Sequence, residues 1–191
     1  MKTRFFAVLF LPLAGCISFG AKPPKQLMTL SATDKVATGV TRTAAAGQTV
    51  TILSPSVPAA IAATRVPVYS SGIAIAYVKD AIWIDSPARL FQRLLSETVA
   101  AKTGRIVLDV RQYTTDPGLR VQGSLLMFGI DEATSEAVVT YDAVIARGSG
   151  LDSRRFEARV RVSVIDATTV GPALNDAANK VTADVATWIN Q

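Results

Sequence analysis

Residues 86–104 of the sequence read SPARLFQRLLSETVAAKTG. Ser86 is a residue type that caps a helix N-terminus by accepting a backbone N–H, and Pro87 suits the first helical position. Gly104 is typical of the residue that ends a helix in the left-handed conformation. The apolar residues between these signals recur at the spacing of one helix face: Leu90, Phe91, Leu94, Leu95 and Val99. We therefore predict an amphipathic helix over residues 86–103 that packs on a sheet.

Three long strands are predicted C-terminal to this helix from the alternation of apolar and polar residues. The first covers residues 119–130, and its apolar positions change parity, so we predict a bulge or a twist near Gly123. Alternate residues are also apolar over 137–145 and over 156–164. This pattern predicts an antiparallel meander with one face in water.

Shorter elements surround this meander. The predicted short strands cover residues 27–30, 49–53, 66–69 and 73–78. A loop is predicted over 34–47, a turn at Lys79-Asp80, and a final helix that opens at Gly171-Pro172. The apolar stripe of that helix comprises Leu174, Ala177, Ala178, Val181, Val185, Trp188 and Ile189. Together the elements predict an α+β fold, with a mainly antiparallel sheet and two amphipathic helices packed on one face.

The N-terminal residues have the pattern of a signal peptide. Lys2 and Arg4 precede an apolar run over residues 5–11 that is too short to span the ~30 Å hydrocarbon core of a bilayer. Cleavage after residue 15 removes both cations, which lowers the formal charge from +5 to +3. The remaining excess of positive charge is small, so we predict no nucleic-acid binding.

A lipidation motif ends the signal peptide. It reads Leu13-Ala14-Gly15-Cys16 and matches the lipobox of bacterial lipoproteins, in which the cysteine thiol carries a diacylglycerol. Ile17 follows, in place of the Asp that retains such proteins at the inner membrane, which favours the outer membrane. The alternative interpretation is that Cys16 is a small buried apolar residue. The predicted segments are a cleaved signal peptide (1–15), a lipidated tether (16–26) and a single α+β domain (27–191).

Composition excludes several classes of function. The chain has 191 residues, of which 49% are hydrophobic and 18% charged, with no histidine and one cysteine. An imidazole base, a histidine metal ligand and an internal disulfide are therefore excluded. GxSxG, P-loop and GxGxxG motifs are absent from the sequence. We predict a protein that is not an enzyme and that binds no metal.

Two groups of acidic residues are candidates for catalysis or cation binding. Asp80 and Asp85 flank Trp83 and fit turn and helix pre-cap roles better than a catalytic pair. The second group lies at a predicted hairpin tip and comprises Asp131, Glu132 and Glu136. A solvated acidic loop is the commoner alternative to a cation site there, and the spacing lacks the calcium-loop pattern.

Aromatic and basic residues are candidates for a partner interface. Tyr77 and Trp83 flank a predicted turn, where they either anchor a partner or pack in the core. The basic candidates lie on one predicted strand face and comprise Arg155, Arg159 and Arg161, with Arg147 and Arg154 nearby. This face either binds an acidic partner or phosphate headgroups, or is a solvated face that discourages edge aggregation.

The order of these elements resembles that of a known family. The residues that carry the resemblance are the lipobox, the Leu-x-x-Leu segment at 27–30, Ile73-Ala74-Ile75-Ala76-Tyr77 before Trp83, Ser86-Pro87, Leu90-Phe91-Gln92-Arg93-Leu94-Leu95, three strands and a helix ending Trp188-Ile189. The sequence thereby resembles the ABC-type transport auxiliary lipoprotein component family, the group that includes the paraquat-inducible lipoprotein C type. Met28 and Ile84 depart from it, since many members carry an aromatic residue at the first position and a small residue at the second.

The resemblance implies a periplasmic, lipid-anchored accessory of an ABC-type transport system. Its partners would be a mammalian-cell-entry (MCE) domain protein, a permease and an ATPase that move phospholipids between the inner and outer membranes. This chain would be a docking or bridging subunit, with no cofactor beyond the diacylglycerol and acyl chain (a palmitate) on Cys16. The oligomeric state, including a homo-oligomer, stays open.

Two other functions stay open at this point. The domain is alternatively a carrier that holds a lipid or another hydrophobic ligand between sheet and helices, where Ala177, Ala178 and Ala183 leave room. It is alternatively a structural lipoprotein that organises the envelope.

Overall fold

The computed structural model describes residues 26–45, 47–109, 118–147 and 150–191, with Arg147 described by its backbone alone. The strands are β1 (Val50–Ile52), β2 (Arg65–Ser70), β3 (Ala74–Ile82), β4 (Val107–Leu108), β5 (Leu119–Asp131), β6 (Glu136–Arg147) and β7 (Gly150–Arg161). The helices are α1 (Ala59–Ala62), α2 (Pro87–Thr103) and α3 (Ala167–Ile189). Within these ranges, no helix has the length and apolarity needed to cross a membrane.

The described strands form one mixed sheet. β5 pairs antiparallel with β6, and β6 with β7, as the predicted meander requires. On its other edge, β5 pairs in parallel with β1 near its beginning and with β2 near its end. β4 adds in parallel beside β1, and β3 adds antiparallel beside β2. The predicted antiparallel pairing therefore holds for the meander and for β2 with β3, whereas β1, β2 and β4 add parallel pairs that were not predicted. Alternation shows that a strand exists but not which way it runs.

The first long helix matches its prediction, except at the cap. α2 covers Pro87–Thr103, and Gly104 ends it at a φ of 72° with its N–H bonded to the Ala100 carbonyl. The Ser86 side chain makes no capping hydrogen bond. Asp85 instead accepts the Ser86 N–H at 2.7 Å, which organises the turn before the helix.

The last helix begins earlier than predicted. Asp166 caps it by accepting the backbone N–H groups of Thr168 and Thr169, so α3 starts at Ala167. Pro172 then lies inside the helix, where it costs the bond to the carbonyl four residues earlier. The prediction placed the start at Gly171-Pro172 because proline is common in a first turn, and it overlooked the stronger aspartate signal.

A bulge in β5 explains the change of parity in its apolar residues. Leu125 pairs with Tyr141 and Met127 with Thr140, so Leu126 is the extra residue. The bulge therefore lies at Leu126 rather than near Gly123. Gly123 serves another purpose, since a Cβ there would lie 2.0 Å from the Asp142 carbonyl oxygen.

The predicted turn at Lys79-Asp80 is instead an irregularity within β3. The register with β2 shifts along this stretch, and Asp80 has a φ of 60°. The predicted strand at 27–30 is reduced to a single bridge between Met28 and Trp83. α1 and β4 were not predicted, because each is too short to show a periodic pattern.

The core lies between the sheet and the two long helices. α2 and α3 contact each other and cover the apolar face of the sheet. Aromatic pairs mark this layer, with ring centroids 5.0 Å apart for Phe91 and Tyr141 and 5.6 Å apart for Phe156 and Trp188. We call the opposite face of the sheet the outer face.

Candidate functional site

Residues 26–45, which we call the strap, connect the N-terminal part of the chain to the domain. The strap begins beside the end of β3, where Met28 donates its N–H to Ile82 and accepts the N–H of Ile84, both at 2.8 Å. Gly171 on α3 leaves room for this contact, because a Cβ there would lie 2.9 Å from the Met28 sulfur. The first residues of the strap therefore contact both the sheet and α3.

Two asparagines on α3 bind the backbone of the strap. Asn179 accepts the Thr33 N–H at 2.8 Å and donates to the Ser31 carbonyl at 3.0 Å. Asn175 accepts the Ser31 N–H at 2.8 Å. Because the Asn179 carboxamide both accepts and donates, it bonds the strap as the peptide group of a neighbouring strand would. These contacts hold the strap through its main chain.

The strap then crosses to the C-terminal half of α2. Glu97 accepts the Val36 N–H at 2.8 Å, and Asp34 lies 3.5 Å from the ammonium of Lys102. Arg42 donates to the Ala100 carbonyl at 2.7 Å, in the last turn of α2. Both long helices are therefore bonded to the chain that leads from the predicted lipid site.

The sequence prediction described residues 34–47 as a loop and did not identify this attachment. A usable signal was present, because Asn175 and Asn179 lie four residues apart beside the apolar stripe of α3. Asn179 is only 9% exposed. A buried asparagine in a helix needs partners, but the sequence does not show which segment supplies them.

The candidate arginines lie on the outer face of β7, where most of their charge is paired. Arg155 contacts Asp142 with two hydrogen bonds of 2.6 and 2.7 Å. Arg159 donates to Glu157 at 2.8 Å and reaches two further carboxylates, those of Asp131 and Glu136, at 3.3 and 3.4 Å. Arg161 is exposed. The outer face thus carries a lattice of ion pairs rather than an uncompensated basic patch.

These ion pairs shift the pKa values of the acidic partners. The hydrogen bond from Arg155 lowers the pKa of Asp142. Hydrogen bonds from Arg159 and then from Thr140 lower the pKa of Glu157. Each carboxylate therefore stays ionised at a lower pH than an isolated one.

The same contacts account for the acidic hairpin tip. Asp131 and Glu136 face Arg159, and Glu132 accepts a hydrogen bond from the Ser70 hydroxyl. Asp85 contacts Ser86 and Arg89, the latter at 3.8 Å. Among the residues that the structure describes, no group of three His, Cys, Asp or Glu side chains is arranged to hold a metal ion.

The two aromatic candidates have different environments. Trp83 is 1% exposed and packs on Phe128 with ring centroids 5.4 Å apart, so it belongs to the core and cannot line a partner surface. Tyr77 is half-buried on β3, with the Arg65 guanidinium 3.9 Å from its ring centroid. β3 and β7 lie at different edges of the sheet, with β2, β5 and β6 between them. Tyr77 and the arginines are therefore separated by three strands and do not lie side by side.

Two of the three alanines suggested for a ligand pocket fill the core instead, and the third, Ala183, is half-buried. Ala177 and Ala178 are fully buried. An open cleft of about 700 Å³ lies on another side of α2, between the strap and β4. Its lining is mixed and includes Val40, Arg42, Ile52, Gln92, Arg93 and Val107.

The lipobox residues Leu13, Ala14, Gly15 and Cys16 lie outside the described residues, as does the side chain of Arg147. The lipid anchor stays a prediction from the sequence.

The described geometry defines a small domain with a mixed sheet, two covering helices and an N-terminal strap. Comparison with known proteins gives its family: the chain belongs to the ABC-type transport auxiliary lipoprotein component family, whose family model matches residues 29–186. The resemblance seen in the sequence is confirmed, and membership implies a location in the cell envelope.

Solved structures share this fold. A crystal structure of an uncharacterized protein has a TM-score of 0.66 at 11% identity, covering 78% of this chain and 96% of the other. Protein XCC0632 from Xanthomonas campestris has a TM-score of 0.62 at 20% identity, covering 78% of this chain and 90% of that chain. Identities this low establish the fold alone. No curated protein matches the sequence.

Proposed function

We propose that this protein is a lipid-anchored, non-catalytic docking subunit of an MCE-associated ABC transport system that moves phospholipids between the inner and outer membranes. In this role Cys16 carries a diacylglycerol and an acyl chain, and the domain is held in the periplasm, at the outer membrane. The MCE-domain protein, the permease and the ATPase are its partners. ATP hydrolysis takes place in the ATPase.

The attachment of the strap is the observation that carries this proposal. Asn175, Asn179 and Glu97 bond its backbone to both long helices at 2.8 Å. A force on the lipid anchor is therefore delivered to the helix layer rather than to a loose tail. A subunit that links a membrane to a partner needs this continuity, and tethering raises the effective concentration of that partner.

The outer face is the proposed docking surface. Its ion pairs are exposed, with the Arg155 side chain 63% accessible. Pairs of this kind contribute little to stability but set orientation and partner choice when a complementary surface approaches.

Affinity capture of the full-length lipidated chain from detergent-solubilised envelopes tests the proposal. Capture of the MCE-domain protein with its permease and ATPase is expected. A charge-swapped variant, Arg155→Asp with Asp142→Arg, keeps an ion pair in place but reverses the pattern, and we expect it to lose partner capture. Lys180→Glu, on the exposed side of α3, is the control that retains it. If the wild-type protein captures none of the three partners at low salt, the transport role is rejected.

The lipid anchor is tested separately. Cys16→Ala is expected to leave an uncleaved precursor without acyl label. Normal processing and labelling of that variant would show that the anchor is misplaced.

The open cleft supports a second candidate, a carrier that holds one lipid. Its volume of about 700 Å³ lies within the range of ligand sites, and Arg93 on its wall offers a charge for a headgroup. Native mass spectrometry of the gently extracted protein separates the two functions. A stoichiometric lipid that is lost in Arg93→Glu supports the carrier, whereas a lipid-free domain that still captures its partners supports the docking subunit.

A further inference from the structure

The hairpin formed by β2 and β3 presents an apolar tip to solvent. Residues 66–78 contain no charged side chain. Ile73, in the turn, is 96% exposed, and Ile75, at the start of β3, is 48% exposed. Ala74, between the two isoleucines, and Ala76, which follows Ile75, are also exposed. Exposed apolar residues grouped at one hairpin tip are typical of a site of interaction.

The backbone of the turn holds Ile73 away from the domain. Ser70 and Ala74 form the last pair of the hairpin. The turn beyond it places Ser71 and Gly72 at φ values of 49° and 75°. Behind the tip, Tyr69 pairs with Ile75 across the two strands. Tyrosines below an apolar tip are typical of proteins that sit at a membrane interface, where the ring is apolar and the hydroxyl is hydrated.

The predicted lipid site lies within reach of this tip. The strap is parallel to the chain at the end of β3, where Met28 bridges Trp83. Twelve residues separate Cys16 from Met28, and ten separate Ile73 from Trp83. An extended chain of twelve residues spans at most about 40 Å, which is enough to bring Cys16 level with the tip.

We propose that the tip of the β2–β3 hairpin inserts into the interfacial region of the bilayer in which the acyl chains of Cys16 are anchored. Ile73 enters the acyl boundary, and Ile75 lies at headgroup level. We expect the headgroups around Ile73 to carry no net charge. The adjacent tip, between β5 and β6, presents the exposed carboxylate of Glu132, which is bonded to Ser70 and would repel anionic lipids. The inference rests on the proposed lipid anchor but not on the proposed transport partners.

Site-directed fluorescence on the full-length lipidated chain in phosphatidylcholine vesicles tests this insertion. In Ile73→Cys the new thiol is the only one free for an environment-sensitive fluorophore, since the lipid occupies Cys16. Leu151→Cys is the matched control. Leu151 is 71% exposed, and its pair with Ala146 lies at the far end of the β6–β7 ladder from the Glu136–Arg161 pair.

The fluorophore at position 73 is expected to be quenched by brominated acyl chains. Its quenching by aqueous iodide should fall by about tenfold if insertion has the transfer free energy of one isoleucine. The fluorophore at 151 is expected to stay open to iodide. Adding Ile75→Asp to Ile73→Cys should return the fluorophore to water, with an unchanged circular dichroism spectrum showing that the fold is kept.

Three results would overturn the insertion. One is equal iodide access at 73 and 151. Another is shielding that requires phosphatidylglycerol and disappears at high salt, which would indicate an electrostatic contact instead. The third is shielding that appears only after the transport partners are added, which would assign the tip to a protein. Vesicle flotation checks the anchor, and a chain that fails to float removes the premise, whereas failed partner capture leaves the vesicle result standing.

Discussion

The attachment of the strap can be tested by removing the carboxamide of Asn179. In Asn179→Ala, the Thr33 N–H and the Ser31 carbonyl lose their partners, which lie at 2.8 and 3.0 Å in the wild type. The bond from Asn179 to the Asn175 carbonyl, at 2.8 Å, is lost as well. Because Asn179 is only 9% exposed, water does not readily replace these bonds.

The expected cost follows from the number of bonds. Each hydrogen bond contributes about 1 kcal/mol net, and unsatisfied groups that stay partly buried add to this, so we expect a loss of about 2–3 kcal/mol. For a domain of this size, that corresponds to a fall in Tm of about 5–10 °C. Asn175→Ala removes a single bond to the strap and should cost about 1 kcal/mol.

Hydrogen exchange locates the loss. If the strap opens before the domain unfolds, the amides of Ser31, Thr33 and Val36 should lose protection by about thirtyfold, the equivalent of 2 kcal/mol. Amides in the core strands should change less. Asn190→Ala, at the exposed end of α3, is the matched control. If Asn179→Ala affects Tm and strap exchange no more than Asn190→Ala does, the strap is not held in the way described here.

The remaining predictions concern the sheet. Asp142→Asn should cost less than about 1 kcal/mol at pH 7, because its pair with Arg155 is exposed. Since the pKa of Asp142 is lowered in the folded state, this contribution is present above the ordinary value of 3.8 and is lost as pH falls below it; urea titrations of both proteins should converge at low pH. Gly123→Ala should lower the free energy of unfolding by more than about 2 kcal/mol, because its Cβ would lie 2.0 Å from the Asp142 carbonyl oxygen. The control Gly39→Ala has open space around its Cβ at a φ of +80° and should lose only about 1 kcal/mol through backbone strain. Thermal melting measures both. Tyr141→Phe should leave Tm unchanged or raised, since that buried hydroxyl has no hydrogen-bond partner among the residues that the structure describes. A fall in Tm of more than 5 °C, on the order of 2 kcal/mol, would reveal a partner.

The parts of the fold that could be predicted are those with a repeated local signal. The apolar residues of α2 recur on one helix face, and those of β5, β6 and β7 recur at alternate positions, over many residues, so their periodicity outweighs local exceptions. The direction of β1 and β2 could not be read in this way. Each is short, and their parallel pairing with β5 depends on a connection through β3 and α2, which no local pattern encodes.

The candidate site was predictable only in part, for a similar reason. Alternation along β7 correctly placed Arg155 and Arg159 on a polar face, but their partners Asp142 and Asp131 lie on other strands, and only the register brings them together. Trp83 was ambiguous because its two neighbours are isoleucines, one half-buried and one exposed. The partners of Asn175 and Asn179 could not be identified from the sequence, since these two side chains bond main-chain atoms more than 140 positions away.

The hairpin tip and the Arg155–Asp142 pair are separated along the sheet, as a bridging subunit requires, although the outer face also extends to the level of the tip through Arg159. Ile75, Tyr69, Asp131, Glu136 and Arg161 pair in one row across β3, β2, β5, β6 and β7, so this row lies at the level of the hairpin tip. Leu151 is ten residues away along β7, or about 33 Å at the rise of an extended strand. An inserted tip would therefore direct the beginning of β7 away from the bilayer and towards the periplasm. Arg155, in the middle of β7, is six residues from the row at the tip, or about 20 Å at the rise of an extended strand. The charge swap at Arg155 and Asp142 should then impair partner capture without changing the shielding of a fluorophore at position 73, and a variant that impaired both would show that the two ends are not independent.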